Sequence, residues 1–317
     1  MVDRLPYPNP RVRRAVAIAA VVTNGGIAVT GSVVRVTGSG LGCSTWPQCL
    51  PGSMFPARHP EFPELNQWIE FGNRMLIGIV GFVAALCVIV ALRTRPRRRR
   101  LLLLAWTMPL GVVVQAVLGG ITVLTGLLWW TVALHFLTSS VLTWVAVLLL
   151  HAFAEGDEAP RRVAHGRIHR QLIALTALLG GVLVAGTMVT GAGPHGGDPE
   201  TPRLQAPIDL LARVHSGLLY AFLALLVLVG LIARTGRDAP RFWRRYGVLW
   251  AAVLAQGALG ITQYLLGVPE ILVTLHVLGA ELTTVAAASL WCAARDRGPL
   301  PVDVAPAGER AEHPSPA

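Results

Sequence analysis

Three histidines, a glutamate and a pair of cysteines carry most of the chemistry open to this chain. Gln115, Gly119, Thr122 and Leu134-His135 recur as Gln256, Gly260, Thr262 and Leu275-His276, with 20 residues from glutamine to histidine in each copy. His135, His215 and His276 each fall near the same end of an apolar run. A lone membrane histidine is ordinarily a hydrogen-bonded helix contact. Repetition at matching depth favours metal or haem ligation instead. Two imidazoles from neighbouring helices bind one iron from opposite faces and leave no open position, which suits electron transfer.

The first half of the repeat is chemically different. Counting back from His135 by nearly the interval that separates His276 from His215 reaches Asn73, a poor iron ligand. His135 alone would leave one iron face open, and Glu70 lies one turn from Asn73. An open face with an acid nearby suits catalysis. The simpler alternative for Glu70 is a helix-end acid favouring the dipole; a membrane-embedded ionisable group more often marks a site. Arg74 beside Asn73, and Arg213 beside His215, are placed to pair with haem propionates. Cys43 and Cys49, six apart in an external loop, read as a small disulfide loop, the alternative being two free thiols. A zinc site lacks a second pair of ligands at finger spacing. Cys87 reads as a buried apolar residue, and His165 and His169, among arginines, as solvated.

These residues must be held by membrane helices. The 317 residues are 53% hydrophobic and 14% charged, with mean hydropathy +0.57, a composition that excludes an ordinary soluble domain. Apolar runs long enough to span occur at approximately 14–37, 71–92, 101–123, 131–153, 171–191, 209–233, 246–267 and 272–294. They are too long for barrel strands, so helices follow. The first lacks a convincing cleavage site for a signal peptide. The expected fold is all-α and polytopic: eight transmembrane helices as two pseudo-symmetric parallel four-helix bundles. Residues 1–153 form the first bundle with its cysteine loop, 154–170 a cytoplasmic linker, 171–297 the second bundle, and 298–317 a disordered tail. Gly25-Gly26 and Gly31 of the first helix are echoed by Gly180-Gly181 and Gly186 of the fifth, small residues that let helices approach closely.

All 27 basic residues are arginine, and most fall at the N-terminus, in 93–100, 161–170 and 234–245, and near the C-terminus. The opposite loops hold few, among them Arg58 and Arg203. Both termini are therefore expected in the cytoplasm of a cell-membrane protein. The arginine runs set topology and touch anionic lipid; they do not indicate nucleic-acid binding. Trp129-Trp130 fits an interfacial aromatic belt.

Taken together, these residues resemble the haem A synthase family. The most specific parts are Arg35-Val36-Thr37-Gly38-Ser39-Gly40-Leu41 leading into Cys43-x2-Trp46-Pro47-x-Cys49, the Glu70-containing start of the second helix, and the histidines heading helices 4, 6 and 8. The resemblance covers nearly the whole chain. It implies oxidation of a ring methyl of haem O to the formyl group of haem A for an aa3-type terminal oxidase. It also implies haem b on His215 and His276, substrate haem O on His135, Glu70 as the essential acid, and a Cys43–Cys49 disulfide as in bacterial members. Haem O delivery by haem O synthase, an electron acceptor that the sequence does not name, and a homo-oligomer complete the implied partners. The family usually has histidine where this chain has Asn73, so His135 becomes the sole protein ligand of its iron, with Asn73 hydrogen-bonding a water or oxygen species on the open face. Two other readings compete. A non-catalytic b-type cytochrome passing electrons between quinone and a partner explains His215 and His276 but not Glu70 or the cysteine loop. A repeat-built transporter would show inverted repeats with broken helices.

Overall fold

The computed structural model describes residues 7–57, 63–162, 166–234 and 240–300; Arg58, His165 and residues 301–317 lie outside them. Its helices are α1 (Pro10–Val36), α2 (Glu64–Arg93), α3 (Arg99–Leu124), α4 (Trp129–Ala152), α5 (Gly166–Ala192), α6 (Ile208–Arg234), α7 (Pro240–Leu265) and α8 (Glu270–Ala293). Among the described residues all eight are long and apolar enough to cross a membrane. The chain is an all-helical multi-pass membrane protein, as its hydropathy predicts.

The helices start earlier than the apolar runs. α2 begins at Glu64 and α7 at Pro240, because their first turns are polar and hydropathy averages them away. Local chemistry sets these starts. Asn9 Oδ1 accepts from Val12 N–H at 2.9 Å, with Pro10 at the first helical position. Proline also occupies the position before α2 and α8. The linker expected over 154–170 is shorter, since α5 starts at Gly166, and it is tied down. Arg161–Arg162 forms a two-residue strand, β1, antiparallel to Arg295–Asp296, β2. The tail expected from 298 begins with placed residues: Gly156 N–H donates to Gly298 O at 2.9 Å. His169, expected to be solvated, packs against the Trp291 ring at 5.3 Å.

In the first half α1, α2, α3 and α4 close into a ring, each packing on the next and α4 on α1. The second half is more open. α5 pairs with α6 and α7 with α8, but α6 and α7 do not approach backbone to backbone as α2 and α3 do. Aromatic side chains fill the interval: Phe242, Trp243, Tyr246 and Trp250 stack along α7, and Tyr246 Oη donates to Leu226 O of α6 at 2.9 Å. α1 and α4 meet α8 at the seam between halves.

Both packed cores lie toward the arginine-rich end. One joins Ala17, Ala20, Ala84, Cys87, Ala91, Leu101, Ala105, Ala146 and Leu149; the other joins Leu175, Phe222, Leu226, Phe242, Leu249 and Leu290. The abundance of alanine follows from the solvent. Lipid is as apolar as leucine, so helices associate by close packing rather than by the hydrophobic effect. The histidine-bearing ends lie beyond these cores.

At the arginine-rich end Arg98 is 5% exposed. It donates to Ala152 O, the last carbonyl of α4, at 2.8 Å and to Glu155 O in the following loop at 2.5 Å, with Asp157 3.7 Å away. Burial pulls its guanidinium below the ordinary arginine range, and Asp157 opposes that shift. Arg100 pairs with Glu155 at 2.9 Å. Replacing Arg98 with alanine orphans two buried carbonyls and should destabilise the detergent-solubilised protein by about 2 kcal/mol. Arg161→Ala removes only an exposed pair with Glu158 and should leave the denaturation midpoint unchanged.

Candidate functional site

All three histidines stand at the end opposite the arginines, and each ring lies against a glycine of the preceding helix. A Cβ built on Gly119 (α3) would stand 3.3 Å from His135 Cε1 (α4). On Gly186 (α5) it would be 3.1 Å from His215 Cε1 (α6), and on Gly260 (α7) 3.1 Å from His276 Cε1 (α8). A side chain at any of the three would crowd the imidazole, which lies instead on bare backbone. The repeated glutamines act at the same hairpins. Gln115 Nε2 donates to His135 O at 3.3 Å, and Gln256 Nε2 donates to His276 O at 2.8 Å. Gly279 clears the space that the Gln256 amide occupies. Each glutamine thus fixes the register at which its histidine leaves the neighbouring helix.

In the second half the structure brings His215 and His276 together edge to face, ring centres 6.4 Å apart and planes at 63°. A metal–imidazole bond is about 2 Å and the ring centre lies about 1 Å farther back, so two rings on opposite sides of one ion stand about 6 Å apart. The pair therefore fits a single ion between them. His215 Nδ1–H donates to Val182 O at 2.9 Å, the bond that leaves Nε2 free and fixes the ring, as in most histidine-ligated metal sites. His276 Nδ1 is buried without a partner among the described residues. Arg213 is exposed at the same end of α6.

In the first half no imidazole among the described residues stands opposite His135. Asn73 Oδ1 accepts from Thr30 Oγ1 of α1 at 2.7 Å, so its carbonyl end is turned to α1. The α1 glycine that corresponds to Gly186 is Gly31, where an added Cβ would meet nothing within 4 Å. Glu70, one turn toward the helix start, is 4% exposed. Its Oε2 accepts Cys43 N–H at 2.7 Å, and its Oε1 is paired with Arg74 Nε at 3.1 Å and with Arg74 Nη2.

Arg74 is used differently from its sequence expectation. It was placed to reach a propionate. Instead Nη1 donates to Thr45 O at 2.7 Å and Gln48 O at 3.1 Å, and Nη2 to Cys43 O at 2.7 Å and to Glu70. All five guanidinium N–H groups are spent on the cysteine loop and Glu70. The Cys43–Cys49 disulfide is formed. Asn66 Nδ2 donates to Gly38 O at 3.0 Å, and a side chain on Gly42 would strike the backbone of Asn66 and Gln67. Trp46 seats on Gly120 of α3. The loop after α1 is thereby bolted over the end of the first bundle by side chains from one face of α2.

Sequence reasoning passed over one buried acid. Glu281 of α8, 3% exposed, accepts from Ser140 Oγ of α4 at 2.8 Å. Its signal was available: it is an acid well inside a spanning run. His151 near the other end of α4, which meets Arg241 Nη2 at 3.1 Å across the seam, was also missed.

A family model described as COX15-CtaA, cytochrome oxidase assembly protein, matches residues 14–195. The chain is similar to the Heme A synthase of Alkalihalophilus pseudofirmus, 28% identical over 262 residues that cover 77% of this chain and 83% of that protein. It is also similar to the Heme A synthase of Halalkalibacterium halodurans, 26% identical over 283 residues covering 84% and 93%. Over 140 residues, 43% of this chain and 44% of the relative, it is 35% identical to the Heme A synthase of Shouchella clausii.

The glycine contacts give a direct test. If His215 and His276 hold a haem, Gly186→Val or Gly260→Val should displace the imidazole and reduce the haem that purifies with the protein, read by absorbance, at least ~10-fold. Gly217→Ala, where a Cβ meets open space, should retain it.

Proposed function

Because the chain belongs to the COX15-CtaA family of cytochrome oxidase assembly proteins, we propose that it is a haem A synthase. It oxidises a methyl group of haem O to the formyl group of haem A, for aa3-type terminal oxidases. The relatives named Heme A synthase, matched over most of their length, support this activity. The observation that carries the division of labour is the inequality of the two halves: opposed imidazoles in one, a single imidazole and a buried acid in the other.

In this reading His215 and His276 hold a resident haem b, and Arg213 reaches a propionate at the exposed end. A haem bound by these two residues would supply one-electron oxidation and reduction. His135 binds the substrate haem O, and Asn73, steadied by Thr30, turns its amide toward the opposite face. Glu70 holds and moves the protons that methyl oxidation releases. Arg74 positions Glu70 and the disulfide loop, and the packed loop excludes water from the first bundle. The arginine distribution supports an orientation with both termini in the cytoplasm and both histidine sites toward the outer face of the cell membrane. Haem O arrives from haem O synthase, and a further electron acceptor and self-association are part of the same proposal.

The test is to express the chain with a haem O source and identify extracted haems by chromatography and mass. Wild type should hold haem b and form haem A. Glu70→Gln should keep haem b while haem A formation falls at least ~100-fold. Haem b alone, with haem O untouched by wild type, would establish the electron-carrier reading instead. Asn73→Ala should alter turnover or the substrate-haem spectrum; if both stay unchanged, its assigned role is wrong.

A further inference from the structure

Where the two halves meet, a carboxyl is sealed in with few partners. Glu281 Oε1 accepts from Ser140 Oγ at 2.8 Å, and its Oε2 is buried. Thr143 of α4 lies beside it, its buried hydroxyl within hydrogen-bonding reach of the carboxyl. Gly25 of α1 lines the other side, where an added Cβ would be 3.9 Å from Oε2. Its neighbours are thus two hydroxyls and a glycine. None of the described titratable side chains of α1, α4, α5 or α7 acts on it, since those helices carry their arginines near their ends.

The position is not arbitrary. Ser140 and Glu281 are 141 residues apart, the interval that also relates Gln115 to Gln256 and His135 to His276. Equivalent positions of two repeats touch only on the pseudo-twofold axis, so this hydrogen bond marks it. Each partner stands five residues beyond a site histidine, about 7.5 Å along its helix and about 140° around it. The carboxyl therefore occupies the wall between the two histidine sites.

We propose that Glu281 is a redox-linked proton site. It binds a proton at Oε2 when the haem held by His215 and His276 gains an electron, and releases it when that electron leaves. The proposal rests on that haem assignment. The ferric haem carries a net positive charge that offsets a nearby carboxylate. Reduction removes the charge, and an unpaired carboxylate in lipid is costly. One electron from a one-electron donor and one proton then enter together: the carboxylate becomes the acid, whose O–H faces Thr143 Oγ1. An electron crossing from the substrate half is thereby neutralised where it arrives.

The test uses full-length, haem-loaded protein reduced by dithionite. The reduced-minus-oxidised infrared spectrum should contain a carboxylic C=O band that shifts in D2O, moves in Ser140→Ala and vanishes in Glu281→Gln. The haem midpoint potential of wild type should fall as pH rises, up to tenfold in the reduction equilibrium or about 59 mV per pH unit, and flatten in Glu281→Gln. A band and slope that persist in a haem-bound Glu281→Gln protein overturn the proposal, as does a wild-type potential independent of pH. If Glu281→Gln does not assemble, Ser140→Ala decides, and an unmoved band refutes the assignment. A His276→Ala protein that keeps the wild-type haem spectrum removes the underlying haem assignment, and the proposal falls with it.

Discussion

The arrangement depends on one contact, an imidazole laid on bare helix backbone. A side chain that must face a planar ligand inside lipid has no water to hold its free edges, so a neighbouring helix must do it. A glycine at that height brings the backbone to within van der Waals reach of the ring, and a side chain there would crowd it. The contact also explains the repeated glutamine, whose amide binds the carbonyl of the same histidine and locks the hairpin in register. Glutamine, glycine and histidine at fixed spacing are one mechanical unit, used in α3–α4 and again in α7–α8.

The same unit serves two differently built halves. In the second, aromatic side chains on α7 fill the gap to α6, and two imidazoles meet edge to face at a separation that fits one ion. In the first, α2 packs along α3, Asn73 takes the place of the second imidazole, and Gly31 has no ring against it. The exchange of histidine for asparagine between the repeated positions thus goes with a difference in how the two bundles close.

Much of this was legible in the residues. Eight spans, the depth of three histidines and the repeat interval follow from hydropathy and counting, because lipid imposes length and polarity on each helix separately. The Cys43–Cys49 disulfide is formed, as two cysteines six apart outside the membrane suggested. What could not be read depends on which faces meet. Arg74 looked free for a propionate, yet its donors are taken by carbonyls that approach only when the loop folds back over α2. Helix starts were misplaced because polar first turns look like loop. Glu281 was visible as an acid in an apolar run, but its meaning required knowing that α4 and α8 meet there.

The clamp on Glu70 constrains how the first bundle can work. The carboxylate receives the Cys43 N–H and the Arg74 guanidinium, and that guanidinium also holds the loop through three carbonyls. The acid and the loop are therefore one hydrogen-bonded assembly. Lifting the loop from α2 would strip Glu70 of a donor and leave Arg74 with unmatched N–H groups, so it cannot move without changing the acid's proton affinity. The disulfide keeps the loop short and its carbonyls converged on Arg74. Lysine in place of Arg74 would keep the charge but could not span three carbonyls and a carboxylate at once. The planar five-donor fork makes the loop and the acid respond together, and this is why an arginine is spent here and not left for a substrate carboxylate.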